Sequence, residues 1–215
     1  MDIYSGAIIL YERVKMMHHI GTQSIDTPRL LLRRFTLDDA PAMFRNWASD
    51  PEVTRYLTWP THESVSGTEA LLRDWVGKYE MPDRYSWCME WKETGEPIGS
   101  IGAVNLNERA GWVEIGYCMS RRLWGQGIMT EALVAVEDYL FAKVGCNRVQ
   151  ALHDVQNPAS GRVMQKSGMI QEGILRGYSS NNRGSSIDVA MWSILRSEWE
   201  SMGRGSVTLH PTPRH

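Results

Sequence analysis

The feature of this sequence that most constrains its fold is a glycine-rich turn joining a strand-like run to a helix-like run. The run Glu114-Ile115-Gly116-Tyr117-Cys118-Met119 comes before the turn Gly125-Gln126-Gly127, and apolar residues at helical spacing follow from Ile128. Glycine lets the backbone of such a turn approach an anion and adopt dihedral angles that other residues avoid. The first N–H groups of the helix and its positive dipole end then face that anion. The pattern predicts a site for a phosphate-bearing ligand.

The same turn has competing interpretations. Gly125 and Gly127 could serve only to permit a tight turn. A Walker phosphate loop is excluded, because the sequence contains no Gly-Lys-Ser or Gly-Lys-Thr. The turn matches the fingerprint of a Rossmann dinucleotide site only in part, because Thr130 occupies the position of its third glycine, which lets the helix pack on the sheet.

The remaining hydrophobic pattern predicts one α/β domain built on a mixed sheet. We expect strands at 27–35, 85–91, 98–106, 111–119, 148–153, 169–178 and 186–195, and helices at 36–48, 64–80, 127–144 and 158–167. Short turns at 93–97 and 107–110 make the three middle strands an antiparallel meander. Residues 1–24 are expected to be a flexible accessory leader, 25–200 the domain, and 201–215 a flexible tail.

Composition narrows the class of function. The 215 residues include 23 basic and 25 acidic side chains, so the net charge of −2 gives no reason to expect a nucleic-acid or membrane partner. Cys88, Cys118 and Cys146 lack a paired spacing and the six histidines lack a ligand spacing, so neither a disulfide framework nor a metal site is expected. No export signal is visible, which favours a cytoplasmic protein.

The segment from Glu114 to Leu133 resembles the acetyl-coenzyme A turn of the GNAT acetyltransferases, and more narrowly the RimJ/RimL-type group. Three later pieces match that group in order: Asn157-Pro-Ala-Ser160, Lys166-Ser-Gly-Met169 and Glu172-Gly-Ile-Leu-Arg176. Thr27-Pro-Arg-Leu30 followed by Leu37-Asp-Asp-Ala40 is similar to its opening. The resemblance covers about residues 25–197. It implies the GNAT acyl-CoA N-acyltransferase fold: a mostly antiparallel central sheet with flanking helices, splayed between its fourth (111–119) and fifth (148–153) strands.

The resemblance also implies that acetyl-coenzyme A (acetyl-CoA) is the co-substrate. The backbone of the fourth strand would bind the pantetheine arm, with Gly116 as the expected position of a bulge or splay. Trp124 and Met129 depart from the family pattern, so backbone N–H groups of the turn are expected to hold the pyrophosphate. The residues expected to contact coenzyme A are Tyr117, Cys118, Met119, Trp124, Gly125, Gln126, Gly127, Ile128, Met129, Thr130, Asn157 and Ser160.

Two residues are candidates for the chemistry. Glu114 is the candidate general base, because a carboxylate in a central strand is costly to bury without a purpose. A structurally paired glutamate is the alternative. By resemblance, Ser160 would meet the departing thiolate, because Met164 occupies the position where many GNAT enzymes have a tyrosine, seven residues after Asn157. A plain helix-surface serine is the alternative, and Asn157 followed by Pro158 is also a good helix cap.

The implied activity is acetyl transfer to a primary amine, with a protein N-terminal α-amine favoured. At pH 7.4, freeing the lone pair of a lysine-like amine costs about 4 kcal/mol, against less than about 1 kcal/mol for an α-amine. Trp59, Tyr85, Tyr178 and Asp188 are expected to line the acceptor cleft. A small-molecule amine (an amino acid, polyamine or aminosugar) and a non-catalytic coenzyme A sensor stay open as alternatives. A monomer or a homodimer is expected.

Overall fold

The computed structural model describes residues 17–205 and 207–210, and a nine-stranded mixed sheet runs through them. Its strands are β1 (Ser24–Asp26), β2 (Leu30–Arg33), β3 (Ser86–Trp91), β4 (Glu96–Asn107), β5 (Trp112–Met119), β6 (Arg148–Asp154), β7 (Ile170–Ser180), β8 (Ser186–Leu195) and β9 (Leu209–His210). Their order across the sheet is β7-β8-β6-β5-β4-β3-β2-β1-β9. Within the described residues β5 and β6 are the one parallel pair, so the predicted mostly antiparallel sheet is confirmed.

The described part of the chain also contains six α-helices: α1 (Ala40–Met43), α2 (Pro51–Thr54), α3 (Val65–Gly77), α4 (Ile128–Tyr139), α5 (Pro158–Ser167) and α6 (Arg196–Ser201). The helices that the sequence predicts are present, with α1 and α4 continued by the π-type segments Phe44–Ala48 and Leu140–Val144. The side chain of Ser64 caps α3. α5 ends at Gly168, whose φ of 103° ordinary side chains rarely adopt.

The helices cover the two faces of the sheet. Val113 and Ile115 of β5 belong to the larger buried cluster, which also contains the apolar face of α4. Cys118 packs on the other cluster, formed by α1, α3 and the Trp47 region. Because successive strand residues point to opposite faces, odd-numbered residues of β5 face α4 and even-numbered residues face α1 and α3.

The strands β5 and β6 separate soon after they meet. They pair only from Trp112 opposite Arg148 to Glu114 opposite Gln150, which confirms the predicted splay. The bulge expected at Gly116 lies instead in the neighbouring strand β4, where the register shifts between Ala103 and Asn105. A Cβ at Gly116 would stand 2.7 Å from Val104 Cγ1, so the glycine accommodates the bulge of its neighbour.

Packing continues beyond both limits expected for the domain. Met17 lies in the main core, and the fully buried Thr22 accepts a hydrogen bond from Ser86 N (2.9 Å). At the other end, the side chain of Arg204 pairs with carboxylates on α4, and β9 pairs with β1. The described parts of the expected leader and tail therefore pack on the domain, whereas residues 1–16, 206 and 211–215 lie outside the described residues. In the described part of the chain, no helix has the length and apolar character needed to cross a membrane.

Candidate active site

A cavity of about 470 Å³ lies at the predicted phosphate turn and is called here the donor cavity. Its walls come from the turn before α4, the C-terminal end of β5 and the first turns of α5. The predicted coenzyme residues that line it are Tyr117, Cys118, Met119, Trp124, Gly125, Gly127, Ile128, Met129, Thr130, Asn157 and Ser160. Gln126 is absent from this lining, because its side chain turns back to donate a hydrogen bond to Arg122 O (3.2 Å).

The turn itself depends on two glycines with positive φ. Gly125 has φ 76° and Gly127, which stands just before α4, has φ 74°. No atom lies within 4 Å of a Cβ built on Gly125, so backbone conformation and not packing requires glycine there. The first N–H groups of α4 have no partners inside the helix and therefore remain available to an anion in the cavity.

The turn is braced by the connection between β1 and β2. Arg29 Nε contacts Glu131 Oε2 (2.7 Å), and Thr27 Oγ1 donates to Glu131 Oε1 (2.7 Å). Arg29 Nη1 also donates to Gln126 O (3.0 Å). Burial opposes the charge on Glu131, but the hydrogen bonds from Thr27 and Arg29 outweigh it and lower the pKa of this carboxyl. The strand predicted over 27–35 is therefore shorter than expected: residues 27–29 form a connection whose side chains fix the first turn of α4.

Three basic residues for which the sequence analysis predicted no role in binding also line the donor cavity: Arg55, Arg162 and Lys166. Glu52 is the acidic residue among the lining side chains. Cations together with free backbone N–H groups are the donor set that a ligand with several phosphates requires. The cavity therefore fits coenzyme A by its chemistry as well as by its place in the fold.

A second cavity of about 630 Å³, called here the acceptor cavity, adjoins the first. The two share Tyr56, Leu57, Tyr117, Cys118, Asn157 and Ser160. Glu114 lines the acceptor cavity, so the structure brings both predicted catalytic residues to its wall. Asp154 lines it as well, and so do the cations Lys78 and Arg84.

Of the four predicted acceptor residues, Trp59 and Tyr85 line this cavity. Tyr85 is otherwise a core residue, since it is 2% exposed and its hydroxyl bonds with His19 Nδ1 (2.6 Å). Tyr178 and Asp188 are not among the lining residues. Tyr178 is 58% exposed on β7, and Asp188 accepts a hydrogen bond from Gly177 N (2.8 Å).

The tip of the β7–β8 hairpin closes one side of the acceptor cavity. Asn182 Nδ2 donates to Thr54 O (2.8 Å), which ties the tip to α2. Ser179 and Ile187 of the same hairpin line the cavity. The hairpin and the segment that follows α2 therefore form adjacent parts of the wall of this cavity.

At the junction of the two cavities, Ser160 is held from two sides. Its backbone N–H is near Asn157 Oδ1 (3.4 Å), which confirms the predicted cap, and its Oγ lies 3.0 Å from the hydroxyl of Tyr117. Burial raises the pKa of Tyr117, and it raises the pKa of Cys118 to about 11. Both groups therefore stay protonated at neutral pH, and Cys118 is a poor nucleophile.

Glu114 stands where β5 and β6 separate. Its Oε2 accepts a hydrogen bond from Gln150 Nε2 (2.9 Å), and the side chain is half-buried. This contact matches the alternative of a paired glutamate, with an amide and not a cation as the partner. It fixes the position of the carboxylate at the point where the two strands separate.

Comparison with known proteins places this geometry in a family. Residues 29–170 match the family model described as "Acetyltransferase (GNAT) domain". The chain is 33% identical over 179 residues to the uncharacterized N-acetyltransferase p20 of Bacillus licheniformis, covering 82% of this chain and 98% of the relative. It is also 33% identical over 132 residues to a Bacillus subtilis protein named "Putative ribosomal N-acetyltransferase YdaF", covering 61% and 70%.

The solved structures share the fold. The GNAT-family acetyltransferase from Bacillus anthracis superposes with a TM-score of 0.72 at 23% identity, covering 81% of this chain and 99% of that chain. The chain therefore belongs to the GNAT family and is an N-acetyltransferase. GNAT acetyltransferases use acetyl-CoA as co-substrate. No group of three or more His, Cys, Asp or Glu side chains among the described residues could hold a metal ion.

Proposed function

We propose that this protein transfers the acetyl group of acetyl-CoA to a protein N-terminal α-amine by direct attack on the thioester. The observation that carries the proposal is the meeting of the donor and acceptor cavities at Tyr117, Cys118, Asn157 and Ser160. A ligand in one cavity and a ligand in the other would come into contact there, which is what direct transfer requires.

The residues at the junction and in the two cavities have separate roles in this reaction. Acetyl-CoA, when bound, supplies the acetyl group in activated form. Glu114 takes a proton from the acceptor ammonium, either directly or through a water, and the free amine then attacks the thioester. Ser160 offers its hydroxyl to the sulfur that leaves, and Cys118 takes no covalent part because its thiol is not ionised. The N–H groups at the start of α4 and the cations Arg55, Arg162 and Lys166 would hold the phosphates.

Two arguments support an α-amine as the acceptor. The first is energetic: one carboxylate can deprotonate an α-amine, whose pKa is near 8, at far lower cost than the ammonium of lysine. The second is the printed name of the relative YdaF, which refers to ribosomal N-acetylation. Because the net charge of the chain is only −2, we expect a protein acceptor to be recognised by contacts in the acceptor cavity and not by long-range attraction to a charged surface.

An acceptor panel read by thiol release tests the proposal. The panel contains a peptide with a free N-terminus, the same peptide blocked at its N-terminus but carrying lysine, and a free amino acid, a polyamine and an aminosugar. Release with the first peptide alone is the expected result. Release with a small amine alone would move the acceptor to the small-molecule class. Stabilisation by acetyl-CoA without release from any acceptor would indicate a sensor.

The variant Glu114→Gln separates binding from chemistry. It is expected to lower kcat by about 10²-fold, the usual contribution of a general base, with unchanged affinity for acetyl-CoA. Wild-type turnover in this variant would remove Glu114 from the role of base.

A further inference from the structure

The side chain of Tyr117 crosses the gap between β5 and the first turn of α5. β5 leaves β6 after Glu114, and Tyr117 comes three residues later. Its hydroxyl oxygen lies 3.0 Å from Ser160 Oγ and 3.2 Å from Ser160 O. Tyr117 also lines both cavities, so its hydroxyl contacts Ser160 at their junction.

Each group at this contact has a defined hydrogen-bonding capacity. A carbonyl oxygen can only accept, while each hydroxyl can donate once and also accept. When Tyr117 donates to Ser160 O, its oxygen is free to accept the Ser160 proton. When Tyr117 turns to donate to Ser160 Oγ, the Ser160 proton is released to point at another acceptor. One rotation of the Tyr117 hydroxyl therefore exchanges these two arrangements without proton transfer.

The helix α5 has no hydroxyl of its own one turn after Ser160 that could take the place of the Tyr117 hydroxyl. Met164 lies four residues after Ser160 and hence on the same face of α5, and it is 1% exposed. The phenol close to this helix face is thus contributed by β5.

We propose that Tyr117 is a positioning residue that directs the hydroxyl proton of Ser160 towards the sulfur of coenzyme A as the acetyl group leaves. The inference rests on the proposed function. The amine nitrogen, having lost its proton to Glu114, forms a bond to the acetyl carbon. As the carbon–sulfur bond breaks, its electron pair goes to sulfur, which receives the hydrogen bond from Ser160 Oγ. Tyr117 keeps its proton throughout, in accord with the burial that raises its pKa.

The variant Tyr117→Phe tests this role with a readout that does not depend on turnover. The ultraviolet absorbance of the thiolate gives the pKa of the coenzyme A thiol bound to the protein. A well-directed hydrogen bond from Ser160 lowers that pKa, so Tyr117→Phe should raise it by about one unit. The same variant should lower kcat about tenfold and leave the KM for acetyl-CoA unchanged.

Two further variants make the result specific. Ser160→Ala should raise the bound thiol pKa on its own, and the double variant should be no worse than Ser160→Ala, because Tyr117 acts only through Ser160. Tyr139→Phe is the matched control, since that buried hydroxyl also donates to a backbone carbonyl, Gly21 O, but lines neither cavity. It should change neither the thiol pKa nor kcat.

The possible outcomes separate this inference from the proposed function. A thiol pKa unchanged in Tyr117→Phe, or losses of activity that add in the double variant, would overturn the role of Tyr117 while leaving acetyl transfer in place. Failure of the wild-type protein to bind coenzyme A would overturn the proposed function, and this inference with it.

Discussion

Replacing Arg204 with methionine removes the partner of a fully buried carboxylate. Glu137 on α4 is 0% exposed, and its Oε2 lies 2.8 Å from Arg204 Nη2. Arg204 Nε also contacts Asp138 Oδ1 (2.9 Å), and Ser167 Oγ donates to Glu137 Oε1 (2.8 Å). Because methionine retains the apolar stem but not the charge, Glu137 keeps one hydrogen-bond donor and loses its cation.

The expected loss is large for a residue near the end of the chain. Removing one partner of a buried ion pair costs about 3–5 kcal/mol of unfolding free energy, because the remaining charge is left uncompensated. An exposed pair of the same type is worth about 0.3–0.5 kcal/mol. Arg73 and Glu69 form such a pair on α3 at 2.6 Å, with side chains 64% and 43% exposed, so Arg73→Met is the matched control.

The loss should depend on pH. Burial raises the pKa of Glu137 to about 7, with Arg204 and Ser167 opposing the rise, so removing Arg204 raises this pKa further. Between the unfolded and the folded pKa, the folded chain holds a proton that the unfolded chain has released. Stability therefore falls as pH rises through this window. In the wild type the fall ends near pH 7, and in Arg204→Met it continues to higher pH.

Urea unfolding of both variants at pH 6 and pH 8.5 measures these effects. Arg204→Met should lose more stability at pH 8.5 than at pH 6, while Arg73→Met should stay within about 0.5 kcal/mol of the wild type at both. The reasoning would be refuted if Arg204→Met lost less than about 1 kcal/mol of unfolding free energy at pH 8.5, or lost the same amount at the two pH values.

Three further predictions concern the site. Gly127 and Gly95 have φ 74° and 69°, and neither has a backbone or close side-chain obstacle to a Cβ. Gly127→Ala and Gly95→Ala should therefore each lower the free energy of unfolding by about 1–2 kcal/mol, but only Gly127→Ala should weaken acetyl-CoA binding measured by calorimetry. Equal affinities of the two variants would argue against the turn as the phosphate site. Asn182→Ala removes the bond to Thr54 O, so limited proteolysis should cut the hairpin tip faster, and an unchanged rate would show that this contact does not hold the tip. Cys118→Ala should retain acetyl transfer, because the pKa of this thiol is about 11, and an inactive but folded variant would contradict direct attack.

Local signals made much of the fold predictable. The helix α5 begins at Pro158, directly after its cap Asn157, and stops at Gly168 as predicted, because its cap and its stop are encoded within the segment itself. The phosphate turn is predictable for the same reason, since the glycines and the helix start are adjacent in sequence. Very short elements such as β1 and β9 carry too few residues for a periodic signal.

Side-chain contacts between residues far apart in sequence could not be predicted at the site. The brace between Arg29 and Glu131 joins residues 102 positions apart, and no local pattern marks either as its partner. The backbone contact predicted for Tyr117 stays a prediction, whereas its side-chain contact with Ser160, which joins residues 43 positions apart, depends on the splay of β5 from β6.

The separation of β5 from β6 also bears on how the chain unfolds. Three residue pairs join the two strands, whereas eight join β4 to β5 and seven join β6 to β8. The sheet therefore has few backbone hydrogen bonds between β5 and β6. Amide hydrogen exchange should resolve the strands β6 to β8 and the strands on the β5 side as separate cooperative units. A ligand in the donor cavity would contact β5 on one side and α5, which follows β6, on the other, and would so link the two groups of strands. Its binding should slow exchange in β6 and β8, at amides that the ligand never touches.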